Sequence, residues 1–118
     1  MEISIQTTGL HLSRSEMELF REHVRQRVEE SFSRIKRRIT HVAVHLEDDN
    51  GPRGGADKRC LVKVSLGGPT AALAQGRDRN LFAVVNRVSA CAARVTLKRL
   101  KRRVECASSR ELGSHADI

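Results

Sequence analysis

Arg87, Arg94, Lys98 and Lys101 are separated by seven, four and three positions. On an α-helix that spacing puts all four on one face. Arg99, Arg102 and Arg103 spread the charge around the same stretch, and no acidic residue occurs between Arg79 and Arg103. Cations near a helix C-terminus gain ~0.3–1 kcal/mol each from the helix dipole. That explains some of these residues but not a run of this density. Solubility is served by mixed charge. A one-signed stripe is suited to a polyanion. The whole chain agrees, with a formal charge of +8 over 118 residues and a pI near 10.4. Aromatic residues are 3% of the chain, all Phe, so a platform for stacking unpaired bases is not expected.

Other reactive side chains do not assemble into a site. His41 and His45 are four apart, but on a strand that is ~13 Å, too far for one ion. Glu47, Asp48, Asp49 and Asn50 lack the alternating ligands and the closing glutamate of a calcium loop. The glycines from Gly51 to Gly55 precede a strand and no Gly-Lys-Ser/Thr follows, so they do not form a phosphate-cradling loop. Cys60, Cys91 and Cys106 are odd in number and widely spaced, the pattern of reduced thiols rather than a disulfide or zinc framework. No nucleophile-base constellation is evident. The expectation is a non-enzyme without metal or cofactor and without a small-molecule substrate.

The elements that must carry the basic stripe are legible from periodicity. From His41 to Leu66 two alternating runs flank an acidic, glycine-rich turn, which reads as a β-hairpin with a long loop. Val42, Val44 and Leu46 share one face of it with Cys60, Val62, Val64 and Leu66, while His41, Ala43, His45, Arg59, Leu61, Lys63 and Ser65 share the other. One face needs a cover and one can meet water. Glu2 to Thr7 alternates as a first strand. Ser13 and Glu16 have capping-box spacing, opening a helix from about Ser15 to about Arg38. Its apolar stripe is Met17, Phe20, Val24, Val28, Phe32, Ile35 and Ile39. Arg14, Arg21, Arg25 and Lys36 flank one edge of that stripe, and Arg27, Arg34 and Arg38 the other.

Gly67-Gly68-Pro69 ends the hairpin. Thr70 to Gly76 reads as an alanine-rich fourth strand despite its poor strand propensity. Asp78 is the expected N-cap of a second helix from Arg79 to about Val104, buried through Leu81, Val84, Val85, Val88, Cys91, Ala92 and Val95. Leu97, Leu100 and Val104 form a second small stripe. The order β-α-β-β-β-α predicts an α+β fold, a four-stranded sheet with both helices packed on one face. Residues 1–105 are expected to form one domain and residues 106–118 a flexible tail. No apolar run approaches the ~20 residues of a membrane span, and no secretory signal is visible at the N-terminus, so a cytoplasmic location is expected.

The hairpin resembles a known family. Val42 to Leu66, with Asn50-Gly51-Pro52-Arg53-Gly54-Gly55 and Asp57-Lys58-Arg59-Cys60, is similar to the hairpin of the ribosome hibernation promoting factors and ribosome-associated inhibitors, also called ribosomal subunit interface or sigma-factor modulation proteins. Asp78, Leu81, Phe82 and the Arg-rich end of the second helix are similar to that family's second helix, and the likeness covers residues 2 to about 104. It implies a fold like double-stranded-RNA-binding domains. It also implies a translation inhibitor that occupies the mRNA and tRNA channel of the small ribosomal subunit. Some members carry a C-terminal dimerising domain or an acidic tail; residues 106–118 match neither.

With that partner, Arg21, Arg25 and Lys36 on helix one and Arg87, Arg94, Lys98, Lys101 and Arg102 on helix two are expected to meet rRNA phosphates. Lys58 and Arg59 would add charge at the hairpin. Counterion release then drives binding, and A-form RNA is read by shape. Two other partners fit the same charge: a bare RNA duplex, or an acidic protein.

Overall fold

Alternating Val42, Val44 and Leu46 pair in register with Val64, Val62 and Cys60, so the apolar sides of both hairpin strands align on one face. The computed structural model describes the backbone of residues 1–10, 12–48, 58–67 and 70–111, and side chains as far as Lys101. The elements are β1 (Glu2–Thr8), α1 (Arg14–Ser31), a short 3₁₀ helix (Lys36–Arg38), β2 (His41–Asp48), β3 (Lys58–Ser65), β4 (Ala71–Asp78) and α2 (Leu81–Glu111). The sheet order is β1-β2-β3-β4. β1 lies parallel to β2, while β3 is antiparallel to both of its neighbours. The expected α+β architecture is therefore the one observed. The hairpin loop, residues 49–57, lies outside the described residues.

The capping box at α1 forms as its spacing predicts. Glu16 N donates to Ser13 Oγ at 3.2 Å and Ser13 N donates to Glu16 Oε1 at 3.2 Å. The helix ends earlier than expected, at Ser31 with Phe32 as its C-cap. A turn and the 3₁₀ helix replace the predicted last two turns. The apolar residues continue beyond α1, with Phe32 and Ile39 buried; Ile39 is already extended, as the C-cap of the 3₁₀ helix, and leads the chain into β2.

β4 forms despite its alanines, and packing explains why. Ala72 and Ala74 are buried under α2, where small side chains let the helix approach closely. Gly76 takes this furthest: a Cβ there would stand 2.9 Å from Val88 Cγ2. Gly9, the break after β1, has φ +71° and faces the Asp48 carbonyl at a distance that leaves no room for a Cβ.

Asp78 is not the cap of α2. It is the last residue of β4, paired with Lys58, and its carboxylate accepts the backbone N–H groups of Arg79 and Asn80. Asn80 caps the helix instead, its Oδ1 accepting from Phe82 N at 2.9 Å and Ala83 N at 3.1 Å. α2 continues past Val104 and through Cys106 to Glu111; residues 112–118 lie outside the described residues.

Both helices cover the same sheet face. Phe20, Val24, Val28 and Phe32 meet Val84, Val85, Val88 and Ala92 over the buried valines of β2 and β3. The helices run parallel, since Phe20 packs edge-on against Phe82 at 5.3 Å and His23 and Arg27 both bond Asn86 at 2.9 Å. Thus the C-terminal ends of α1 and α2 point the same way. A 31-residue helix is ~46 Å long, whereas an eight-residue strand is ~26 Å, so the end of α2 overhangs the sheet.

Candidate nucleic-acid interface

The charge on α2 is held outward by what the helix buries. Val85, Val88 and Ala92 fix its inner side. At 3.6 residues per turn, Arg87, Arg94, Lys98 and Lys101 then fall within roughly 60° of one another on the opposite side. All four are exposed. Arg94, Lys98, Arg99 and Lys101 make no side-chain hydrogen bond or ion pair among the described residues. Arg87 differs: it is 3.4 Å from Asp78 Oδ2 and also donates to the Arg77 carbonyl. It therefore ties the start of α2 to the end of β4. The Asp78 carboxyl is held below its usual range, chiefly by the Asn80 backbone N–H, with Arg87 and Arg79 adding to the effect. Arg102 is on α2, but its side chain lies outside the described residues.

α1 is electrically different. It carries four basic and five acidic residues, so it is not a one-signed rod. Arg25 is exposed and stands one helical turn from both Glu22 and Glu29. Arg21 reaches over the β1 edge toward the Ile5 carbonyl, at 3.4 Å. Arg27 turns to the other helix, bonding Asn86 at 2.9 Å and Glu30 at 2.9 Å. Lys36 is 3.9 Å from Glu29.

The segment after α1 supplies what α1 lacks. Arg34, Arg37 and Arg38 are exposed and have no side-chain partner among the described residues. They precede β2 and so sit at the end of the sheet toward which both helices run. Ile39 and Leu100 are both buried in the core. Leu100 of the second small stripe is thus core, while Leu97 is 43% exposed. Sequence periodicity showed Arg34 and Arg38 but not that they lie at the end of the sheet toward which α2 runs, which needs the parallel course of the helices.

Lys58 and Arg59 are neighbours in sequence but not in space. Strand parity sends Lys58 to the helix side, where it pairs with Asp48 at 3.1 Å, and Arg59 to the open side of the sheet. There Arg59 lies opposite Arg77, a residue that sequence reading left out. Register and the period of two were enough to find it.

Cys60 is buried, and that burial pushes its thiol up to about 12. His41 and His45 bond strand neighbours, Ser4 at 2.9 Å and Thr8 at 3.2 Å. No helix among the described residues is long and apolar enough to cross a membrane.

Comparison with known proteins places this geometry. A family model described as Sigma 54 modulation protein / S30EA ribosomal protein matches residues 5–105. Among solved structures, the N-terminal domain of Protein Y from Thermus thermophilus is similar, with a TM-score of 0.60 at 17% identity, covering 85% of this chain and 99% of that one. A ribosomal subunit interface protein from Coxiella burnetii is similar with a TM-score of 0.57 at 14% identity, again over 85% of this chain and 99% of that one. Identities this low establish a shared fold. No curated protein matches the sequence.

Proposed function

As a member of the Sigma 54 modulation protein / S30EA ribosomal protein family, this chain binds the ribosome, and we propose that it silences translation by lodging in the mRNA and tRNA channel of the small subunit. One observation carries the reading. The outward face of α2 from Arg94 to Lys101 is free of acids, and its cations have no partners among the described residues. An unpaired cation gives its full charge to a phosphate and releases a counterion on contact.

In this reading the expected contacts are weighted by what each cation stands beside. Arg94, Lys98 and Lys101 on α2 carry the principal rRNA surface, with Arg34, Arg37 and Arg38 adding to it, because each is exposed and none has a side-chain partner among the described residues. Arg21, Arg25, Lys36 and Arg87 contribute less, because each stands beside an acid or a carbonyl. The action is occupancy without catalysis: a body whose sheet is ~26 Å long along its strands, with a basic spur, blocks the path of other ligands. It takes place where ribosomes are, in the cytoplasm.

Sedimentation of the full chain with an excess of purified small subunits at low salt tests this. Comigration with the subunits, lost on raising the salt, is the expected result. Protein that stays at the top of the gradient would reject it, and equal affinity for a bare RNA duplex would point to a general duplex binder instead.

A further inference from the structure

The sheet face turned away from the helices holds a recess separate from the α2 surface. His45, Glu47, Arg59, Leu61, Gln75 and Arg77 line a cavity of about 350 Å³ there. The register sets Glu47, Arg59 and Arg77 in one row across β2, β3 and β4, and His45, Leu61 and Gln75 in the next. We infer that this recess is a second anion site, built to seat a phosphate group.

Arg59 and Arg77 are directly opposite each other across two antiparallel strands. Like charges in that position destabilise a sheet. The acid in the row is Glu47, whose carboxylate lies 3.9 Å from Arg59 Nη1. It offsets part of one charge and leaves the other whole. The Arg77 guanidinium has no side-chain hydrogen bond or ion pair among the described residues. Arg59 Nε is shut off from solvent and has no hydrogen-bond partner, although the side chain as a whole is 44% exposed. An N–H held in that way keeps a desolvation cost that an arriving acceptor removes.

The donor set indicates which anion. A carboxylate is satisfied by a single guanidinium fork, which would leave the second arginine uncompensated. A phosphate offers oxygens in several directions and up to two charges, so it can take both forks at once. The Gln75 amide stands ready in the adjoining row, and Leu61 provides an apolar floor for the carbon skeleton of a phosphate ester. The phosphate could belong to an RNA backbone or to a free nucleotide. The chemistry is the same, and the two sources separate experimentally. The recess lies on the sheet face opposite the helices, so its occupancy does not require the α2 surface.

The test uses the full chain in ¹H–¹⁵N spectra titrated with sodium phosphate, against sodium chloride at equal ionic strength. Saturable shifts are expected at the Arg59, Leu61, Gln75 and Arg77 amides and at the arginine Nε–H groups, together with a rise in Tm specific to phosphate. Arg77→Gln should abolish both effects while melting no lower than the parent, since it relieves the repulsion with Arg59. Arg77→Lys should keep part of the response. In Lys98→Glu/Lys101→Glu the shifts at the Arg59, Leu61, Gln75 and Arg77 amides should persist whatever happens to shifts on α2, which separates this site from the helical surface. Shifts concentrated on the helices, or an unaltered titration in Arg77→Gln, would overturn the inference.

A nucleoside diphosphate and small subunits then identify the source. A several-fold loss of subunit affinity in Arg77→Gln supports the site with RNA phosphate as its ligand. Unchanged subunit affinity, with diphosphate shifts that vanish in the variant, supports it with a free phosphate ester.

Discussion

Gly76→Ala tests the packing that holds α2 against the sheet. Two opposing effects set its magnitude. Replacing glycine by alanine where φ is negative stabilises by about 0.4–1 kcal/mol, by restricting the unfolded chain. Against this, the new methyl would sit 2.9 Å from Val88 Cγ2. Val88 is 2% exposed, and a helical valine is confined largely to one rotamer, so it has nowhere to turn. Overpacking of this kind costs about 1–3 kcal/mol. The net expectation is a loss of about 1–2 kcal/mol, or about 4–8 °C in Tm for a domain of this size.

Urea unfolding followed by circular dichroism measures it, and a double-mutant cycle identifies the cause. Val88→Ala alone should cost about 2–3 kcal/mol from lost burial and the cavity left behind. In Gly76→Ala/Val88→Ala the new methyl enters that cavity. The pair should therefore be less destabilised than the sum of the singles by about 1–2 kcal/mol. A neutral or stabilising Gly76→Ala would refute the close approach, and strict additivity would show that Val88 is not what the methyl meets.

Three further outcomes follow from local geometry. Asn80→Ala should cost about 1 kcal/mol in chemical denaturation, because Asn80 caps α2. The Glu16 carboxyl, lowered by the Ser13 side chain and then by its backbone N–H, and the Asp78 carboxyl, lowered chiefly by the Asn80 N–H, both have folded values below their unfolded ones. Their stabilisation is full above the ordinary carboxylate range near pH 4 and is lost as pH falls through the lowered folded values. Ser13→Ala should flatten that acid limb in a pH series of Tm, and an unchanged limb would contradict the capping box as its source. Cys60 should resist thiol reagents at pH 8 until the protein unfolds, whereas half-buried Cys91 reacts sooner; peptide mapping after timed labelling distinguishes them.

What sequence could show here was set by periodicity. Val42, Val44, Leu46 and their partners on β3 announced both the hairpin and the side to be covered, since a period of two has a single reading once one face is apolar. The arc of Arg87, Arg94, Lys98 and Lys101 was legible for the same reason. The end of α1 was hidden because Phe32, Ile35 and Ile39 keep the three- and four-residue steps of an α-helix although Ile39 is already extended. Asp78 and Asn80 are both good caps two residues apart. The choice was made by β3, which extends β4 to Asp78 through Lys58.

The candidate site was harder to read because it depends on what lies across from each residue. Lys58 and Arg59 look like one basic pair, yet they project to opposite faces. Arg21, Arg25 and Lys36 look free until the acids of α1 are placed beside them. Arg34, Arg37 and Arg38 fall at the end of the sheet toward which α2 runs only because two distant helices point in the same direction.

The salt dependence of small-subunit binding, compared between the parent chain and Lys98→Glu/Lys101→Glu, bears most directly on the role of α2. If both lysines neutralise rRNA phosphates, affinity falls sharply and the slope of log K against log salt shrinks by about two, with Tm unchanged at these exposed positions. Equal affinity and an equal slope in a folded variant would mean that the basic end of α2 is not what holds the ribosome.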